Sequence, residues 1–118
     1  MSRFDSLSEF DKEKKKLAKK YRSIPADLKA FEQILLVAPT GIGKNFTIIH
    51  SDECVQVVKA RLACHALKNR SLRVVYAYHE NTITFMYIEL YFKGVKENED
   101  RKRIEGYLES LDQFNWKD

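Results

Sequence analysis

The fold of this chain is decided by residues 55–91, which read VQVVKARLACHALKNRSLRVVYAYHENTITFMYIELY. β-branched and aromatic residues dominate this stretch, and a polar segment near its middle divides it. The composition predicts three strands, Val55–Leu62, Leu72–His79 and Thr82–Tyr91. The dipeptide Glu80-Asn81 predicts a tight turn, so the last two strands should form a hairpin. The last strand is apolar on both faces, which is typical of a strand near the centre of a sheet.

The N-terminal third has helical periodicity. The tetrapeptide Ser8-Glu9-Phe10-Asp11 has the form of a capping box that opens a first helix. Pro25 suits the first turn of a second helix, which Pro39-Thr40-Gly41 should close. The apolar stripes of the two helices are Phe10, Leu17, Ala18 and Tyr21, and Leu28, Phe31, Leu35 and Leu36. Because the loop between the helices is short, the pattern predicts an antiparallel αα-hairpin.

Two further elements complete the prediction. Residues Phe46–His50 form another strand-like segment, and Asn98 is placed to cap a C-terminal helix with the apolar face Ile104, Tyr107, Leu108 and Leu111. Helices followed by a strand meander indicate an α+β domain with the helices on one sheet face. We therefore expect an N-terminal αα-hairpin packed on a mainly antiparallel four-stranded sheet, with a C-terminal helix.

Size and composition restrict the classes of protein. The chain has 118 residues and is 44% hydrophobic, so it can bury one ordinary core, and we expect a single domain over residues 1–118. Cys54 and Cys64 have no CxxC spacing and no companion His/Cys cluster at metal-site intervals, which argues against a zinc site and for free thiols in a reducing cytosol. No apolar run approaches a membrane span or a secretory signal. We expect a soluble cytoplasmic protein.

The segment 38–45, Ala-Pro-Thr-Gly-Ile-Gly-Lys-Asn, is similar to a phosphate-binding loop. That loop needs a first glycine, where Ala38 stands here, and a metal-binding hydroxyl, where Asn45 stands. A helical pattern precedes the segment, whereas the motif requires a strand before it and a helix after it. We therefore expect a glycine-rich turn and no nucleotide cofactor.

Positive charge is concentrated on the predicted strands. The net charge is +4 and the isoelectric point is near 9.0. Between Cys54 and His79 there is no acid, and the five bases are Lys59, Arg61, Lys68, Arg70 and Arg73. Bases mounted on a sheet suit a polyanion held in one register, and RNA is the first candidate. A second basic run, residues 12–22, is typical of a solvated helix face, or it supplies sequence-independent phosphate contacts.

Strand alternation places Lys59 and Arg61 on one face, about 7 Å apart. If the next strand pairs antiparallel, Arg73 joins them. Three convergent cations repel one another unless an anion or carboxylates compensate. The alternative is a solvated basic face whose aliphatic stems pack on the sheet. Spacing alone does not separate the two interpretations.

Other candidates have equally open alternatives. Lys93 and Lys96 follow the last strand, where loops often carry binding groups, although a helix entry with surface lysines explains them as well. Tyr91 is either a proton-transfer or base-stacking group or a core aromatic. Glu89 either pairs with a cation of the basic segment 54–79 or lies on a less buried face. The scattered histidines are His50, His65 and His79, each favoured as a surface or strand-end residue.

The order of these features resembles the RelE/ParE superfamily of toxins from bacterial and archaeal toxin–antitoxin pairs. The resemblance runs from about Phe10 to Leu111. The segments that carry it are Phe10…Lys15-Lys16-Leu17…Lys20-Tyr21, Asp27-Leu28, Lys59-Ala60-Arg61-Leu62, Arg73-Val74-Val75-Tyr76 and Tyr91-Phe92-Lys93-Gly94-Val95-Lys96-Glu97-Asn98.

The resemblance implies a RelE-like fold and a ribosome-dependent endoribonuclease that cuts mRNA by attack of a ribose 2′-OH on the adjacent phosphate. It implies phosphate stabilisation by Arg61 and Arg73 and proton transfer by Lys59 or Lys93. It also implies that Lys96 belongs to the basic group after the last strand, and from their residue types and positions we expect Lys68, Arg70, Tyr91 and Lys96 to bind RNA. The implied partners are mRNA on the ribosome and an antitoxin whose extended segment wraps the toxin.

The chain also departs from the family. Residues 1–7 do not predict its opening strand, the loop Ala63–Ser71 is longer than in compact members, and Tyr107 is committed to a helix face instead of standing for the family's catalytic tyrosine. Two alternatives stay open: a non-catalytic ParE-like toxin that inhibits a topoisomerase, and an RNA-binding module without catalysis.

Overall fold

A computed structural model describes residues 4–68 and 70–115, with side chains described as far as Leu111. The expected domain range 1–118 therefore extends beyond the described residues at both ends. The elements are β1 (Phe4–Ser6), α1 (Ser8–Lys20), α2 (Ile24–Val37), β2 (Phe46–Ser51), β3 (Val55–Ala63), a short 3-10 helix (His65–Leu67), β4 (Ser71–His79), β5 (Thr84–Phe92) and α3 (Arg101–Asn115). The strands form a five-stranded sheet in the order β1-β5-β4-β3-β2. The predicted α+β class is confirmed.

The first strand corrects the expected count of four. Phe4–Ser6 pairs in parallel with the segment Phe85–Tyr87 of β5. The Phe4 ring stacks on the Phe85 ring with centroids 4.6 Å apart. Three residues are too few to show a period in the sequence, so this strand forms only because β5 offers an open edge and an aromatic partner.

The hairpin of β4 and β5 is confirmed, but its turn is longer than predicted. His79 pairs with Thr84, so residues 80–83 make the connection. Ile83 has a φ of +53° and is 61% exposed. Its β-branched side chain suggested a strand, whereas the register of the hairpin leaves it in the turn.

Both faces of the sheet are covered, which corrects the expectation that all helices lie on one face. α1 and α2 pack on the face that presents Val58 and Val74. α3 packs on the opposite face, where Ile104 and Tyr107 contact the cluster that includes Val57 and Val75. The reason is that β3, β4 and β5 alternate apolar residues to both sides, and the second apolar face also needs a cover.

The predicted helix caps are wrong at two ends. Ser8 is the first residue of α1, Leu7 is the cap position, and no side chain caps the helix there. At α3 the cap is Asp100 and not Asn98, because the Asp100 carboxylate accepts the backbone N–H of Arg103 at 3.0 Å. This is the usual N-cap geometry for an acidic residue that directly precedes a helix. Pro25 lies in the first turn of α2 as predicted.

Beyond the short strand β1, side chains form hydrogen bonds with the free backbone groups of β5. Glu13 of α1 accepts the backbone N–H of Leu90 at 3.0 Å. Arg103 of α3 donates to the Ile88 carbonyl at 2.8 Å and forms a two-contact ion pair with Glu13 at 3.0 and 2.9 Å. These bonds satisfy backbone groups that have no neighbouring strand, and they tie the two helical layers together across the edge.

Candidate functional site

Two rows of side chains cross the sheet on the face that carries α3. In the first row, Arg61 of β3 lies opposite Arg73 of β4, which lies opposite Tyr91 of β5. In the second row, Lys59 lies opposite Val75, which lies opposite Glu89. Lys59, Arg61 and Arg73 therefore share one face, as strand alternation predicted.

The side chains of these three bases line a surface hollow of about 170 Å³. We name it the cationic hollow, after the five bases that line it: Lys44, Lys59, Arg61, Arg73 and Lys93. A second hollow of about 260 Å³ adjoins it, shares Arg61, Arg73 and Lys93, and adds Arg70. We name this the adjoining hollow. The four bases predicted as catalytic thus lie around one cavity, and Lys44 is a fifth that the sequence did not single out.

Lys44 reaches the hollow because the connection 38–45 turns sharply between α2 and β2. Gly41 has a φ of +83°, and a Cβ there would lie 2.0 Å from the Phe46 ring, so only glycine fits. The Tyr76 hydroxyl donates to the Pro39 carbonyl at 2.7 Å and holds the connection on the sheet. A helix precedes this segment and a strand follows it, so the expected glycine-rich turn is what forms.

The two arginines of the first row have no carboxylate partner among the side chains that the structure describes. Neither Arg61 nor Arg73 forms a salt bridge within the described part of the chain, and Arg73 donates only to the Ser71 hydroxyl, at 3.0 Å. Burial, followed by the charge of Arg61, lowers the pKa of the Arg73 guanidinium below its usual value. A bound anion would relieve this repulsion, so the row favours an anionic ligand.

Lys59 differs from the arginines because it has an internal partner. Its ammonium donates to Glu99 at 2.9 Å, and the other oxygen of Glu99 pairs with Arg101 at 2.9 Å. The Glu99 side chain is only 4% exposed. Burial raises the pKa of Glu99, but the hydrogen bond from Lys59 and the charges of Lys59 and Arg101 outweigh this effect and hold that pKa below its usual value. Lys59 is therefore a partly neutralised member of the hollow.

Lys96 and Tyr91 do not line either hollow. Glu89 is fully buried and accepts both the Lys96 ammonium and the Asp100 backbone N–H. Its basic partner is therefore Lys96 and not a cation of the basic segment 54–79, and the expectation of a less buried face is wrong as well. Tyr91 is 5% exposed beneath Lys96, so its ring offers no face to a base. Burial, followed by the charges of Glu99 and Glu89, raises the pKa of Tyr91 to about 12. The stacking role is contradicted by this burial, and the core-aromatic alternative describes Tyr91.

Lys68 and Arg70 lie in the connection between β3 and β4. Arg70 lines the adjoining hollow with its guanidinium 5.3 Å from the centroid of the Phe92 ring. Both residues also line a third hollow of about 380 Å³, beside Ala63, Cys64, His65 and Ser71. We name this the loop hollow. Arg70 therefore lies beside Arg61 and Arg73 in the adjoining hollow, whereas Lys68 lines the loop hollow and neither of the other two.

The three histidines lie apart. His50 contacts Asp52 at 2.9 Å at the β2–β3 turn, and His79 contacts the Tyr107 hydroxyl at 2.5 Å under α3. His65 contacts the buried Asp27 at 2.7 Å. Asp27 lies 38 residues earlier in the chain, so no spacing in the sequence could have indicated this pair.

The described residues were also compared with the requirements of a metal site and of a membrane-spanning helix. These residues contain no group of three or more His, Cys, Asp or Glu side chains that could hold a metal ion. None of the described helices is long and apolar enough to cross a membrane.

The architecture is an α+β fold whose sheet carries a cationic surface. No family model and no curated protein matches the sequence. Among solved structures, the chain is similar to a chain of the crystal structure of the archaeal RelE–RelB complex from Pyrococcus horikoshii OT3. The TM-score is 0.60 at 18% sequence identity, over 79% of this chain and 96% of that chain. The likeness shows that this protein has the RelE-like fold.

Proposed function

We propose that this protein is the toxin of a toxin–antitoxin pair and that it cleaves mRNA on the ribosome. The observation that carries the proposal is the cationic hollow: Arg61 and Arg73 face each other on rigid strands with no carboxylate partner among the described residues. A RelE-like fold with such a hollow suits a bent RNA phosphate, because the fixed cations need no reorganisation to meet it.

The reaction proposed is attack of a ribose 2′-OH on the adjacent phosphate. Arg61 and Arg73 stabilise the negative charge that grows on the phosphate oxygens in the transition state. Lys93 lines both the cationic and the adjoining hollow and is exposed, so it is the lysine that delivers a proton to the leaving 5′-oxygen. Lys59 is engaged with Glu99, so we assign it a positioning role at the floor of the hollow.

The proposal includes a cognate antitoxin, by analogy with the RelE–RelB complex that the fold resembles. It places the protein in the cytoplasm with the ribosome, as one domain over residues 1–118, and it requires no metal or nucleotide cofactor. The exposed lysines of α1 supply additional phosphate contacts that do not depend on sequence.

A second candidate is an RNA-binding module that holds phosphates without cleaving them. The pairing of Lys59 with Glu99 and the burial of Tyr91 favour it, because both remove proton-transfer groups from the cationic hollow. The two candidates differ in product: cleavage creates new RNA ends, and binding does not.

The test is regulated expression in bacterial cells, followed by mapping of mRNA ends. We expect the wild type to arrest growth and to generate new ends within translated regions. Arg73→Ala should abolish both while the protein still sediments with ribosomes. The control is Lys29→Ala, an exposed lysine of α2 on the other side of the sheet, which should behave as the wild type.

Two results would reject the ribonuclease. Growth arrest without new mRNA ends would exclude cleavage. If Arg73→Ala also lost its association with ribosomes, the RNA-binding module would be the better explanation. Arrest that persists in Arg73→Ala would instead indicate inhibition through protein contacts, as for a ParE-like toxin.

A further inference from the structure

The adjoining hollow differs in chemistry from the cationic hollow beside it. Apart from one alanine, the cationic hollow is lined by charged and polar residues. The adjoining hollow keeps Arg61, Arg73 and Lys93 but adds Arg70 and the aromatic Phe92. A phosphate presents charged oxygens, whereas a nucleobase presents a flat π face on which aromatic rings and guanidinium groups stack. The lining of the adjoining hollow therefore suits a base next to a phosphate.

The adjoining hollow lies at the end of the sheet, where β5 ends and β4 begins. Phe92 is the last residue of β5, and Arg70 directly precedes β4. The cross-strand pair of Arg73 with Tyr91 is followed by the pair of Leu72 with Phe92. Strand alternation assigns Phe92 to the face that carries α1 and α2. Because the strand ends there, Phe92 nevertheless lines the same hollow as Arg73.

Arg70 is held over the ring of Phe92. The central carbon of its guanidinium lies 5.3 Å from the ring centroid. Its backbone N–H donates to the Leu67 carbonyl at 3.2 Å, and its side chain forms no salt bridge within the described part of the chain. A guanidinium is planar and is attracted to the face of an aromatic ring. The contact therefore restrains an exposed arginine in a position where a base can stack on it.

Gly94 allows the chain after β5 to pass close to the same ring. A Cβ at this position would lie 2.7 Å from Cε2 and 3.0 Å from Cζ of Phe92, so a side chain here would displace the ring. Gly94 itself lines the adjoining hollow. On its other side the ring packs against the core cluster that includes Leu72 and Leu90. Phe92 is therefore fixed between the core and the backbone at Gly94.

The stacking pair and the two facing arginines belong to one cavity. Arg61 and Arg73 line the adjoining hollow together with Arg70 and Phe92. The Arg73 guanidinium also donates to the hydroxyl of Ser71, which directly follows Arg70 in the chain. A phosphate bound by Arg61 and Arg73 therefore lies at the wall of this hollow, and the neighbouring base of the same strand is the group closest to it.

We propose that the adjoining hollow is a nucleobase subsite of the RNA site. The base of the nucleotide next to the bound phosphate stacks on the guanidinium of Arg70, which Phe92 supports from behind, while Arg61 and Arg73 hold the phosphate. The inference rests on the proposed function of RNA cleavage. It restricts the ligand to single-stranded RNA, because a base in a duplex is already stacked on its neighbours. Stacking tolerates every base, so the subsite adds affinity and fixes the strand without reading a sequence.

The experiment titrates the isotope-labelled full-length protein with dinucleotides and follows the backbone amide signals by NMR. The probe is an adenine dinucleotide whose first sugar is 2′-deoxyribose, so that it cannot be cleaved and has a single phosphate to set the register. Two further probes lack either the first or the second base. We expect one of these abasic probes to bind the wild type about tenfold more weakly than the complete dinucleotide. The amides of Arg70, Ser71 and Gly94 should shift with the complete probe.

The variants separate stacking from charge. Arg70→Lys keeps the charge and loses the plane, so it should bind the complete dinucleotide about tenfold more weakly and the abasic probe as the wild type does. Phe92→Leu should act in the same direction, with urea unfolding as the check that this half-buried substitution keeps the fold. Arg73→Ala should weaken the binding of both probes by the same factor. The control Lys29→Ala, on the other side of the sheet, should bind both as the wild type does.

The outcomes distinguish the subsite from the proposed function. The subsite is rejected if removal of either base leaves the affinity of the wild type unchanged, because the hollow then binds phosphate only. It is also rejected if Arg70→Lys and folded Phe92→Leu keep the full effect of base removal, or if the dinucleotide does not bind. New mRNA ends made by the wild type would still support the ribonuclease in each of these cases, and their absence would reject cleavage independently.

Discussion

Replacement of Arg61 by methionine should make the protein more stable and less active. Arg61 and Arg73 are direct cross-strand partners, which places their Cβ atoms about 4.5–5.5 Å apart. Like charges at directly opposite positions lower the free energy of unfolding by about 0.2–1 kcal/mol. Two unit charges about 6 Å apart in water repel by about 0.7 kcal/mol, which agrees with that range. Arg61 is exposed and forms no salt bridge among the described residues, so Arg61→Met loses no compensating pair.

The assay is urea unfolding at low and high salt. We expect Arg61→Met to raise the free energy of unfolding by about 0.5 kcal/mol at low ionic strength, or the melting temperature by about 2–4 °C. The gain should vanish near 1 M salt, where the screening length is about 3 Å. In the Arg73→Met background the same change should give no gain, because the repulsive partner is already gone. Affinity for RNA should fall, and the slope of its logarithm against the logarithm of salt should decrease by about 0.7.

The control variant is Lys102→Met, an exposed base of α3 away from the hollow, which should leave stability nearly unchanged. A less stable Arg61→Met protein, or a gain that persists at high salt, would refute the claim that the two arginines repel each other across the strands.

Three more predictions concern other contacts. The hydrogen bond from His50, followed by two backbone N–H groups, lowers the pKa of Asp52 from 3.8 to about 2. The ionised carboxylate therefore adds stability that is complete above about pH 4 and is lost as the pH falls toward 2. Asp52→Asn should reduce the dependence of the free energy of unfolding on pH in that window, as followed by circular dichroism. Arg103→Met removes a partly buried ion pair with Glu13 and a bond to a strand carbonyl, and should lower the free energy of unfolding in urea by about 2–3 kcal/mol. Tyr91→Phe should keep the wild-type rate of RNA cleavage, because its phenol is buried and protonated at neutral pH.

The stability prediction has a functional meaning. Under the proposed function, a phosphate bound between Arg61 and Arg73 would relieve their mutual repulsion, so the two arginines would favour binding at some cost in stability. Lys59 differs from the two arginines because its charge is compensated by Glu99. Within the described residues, Arg61 and Arg73 have no such partner.

Part of the site was visible in the sequence because strand alternation is a local rule. The spacing of Lys59 and Arg61 puts them on one face whatever the rest of the chain does, and antiparallel pairing then adds Arg73. The partners of the cations were not visible. Glu99 lies 40 residues from Lys59, and the contact exists only because α3 packs on that face of the sheet.

A β-bulge explains why Glu89 was difficult to interpret. Val75 pairs with Glu89, but the next pair is Tyr76 with Tyr87, so Ile88 is the extra residue and the alternation of β5 shifts. Glu89 therefore faces α3 and Lys96 in a position that strict alternation does not predict. The sequence carries no signal for such a bulge, since it arises from the packing of β5 between its neighbours.

The sequence by itself determined the periodic elements, the four longer strands, and the placement of the basic side chains on alternate strand positions, because these depend only on residues close together in the chain. The tertiary structure decided that β1 joins the sheet, that α3 covers the second face, and that Asp27 holds His65. Each of these depends on surfaces that meet only after the chain has folded, and the free energy of such contacts comes from burial and from charge pairing between distant segments.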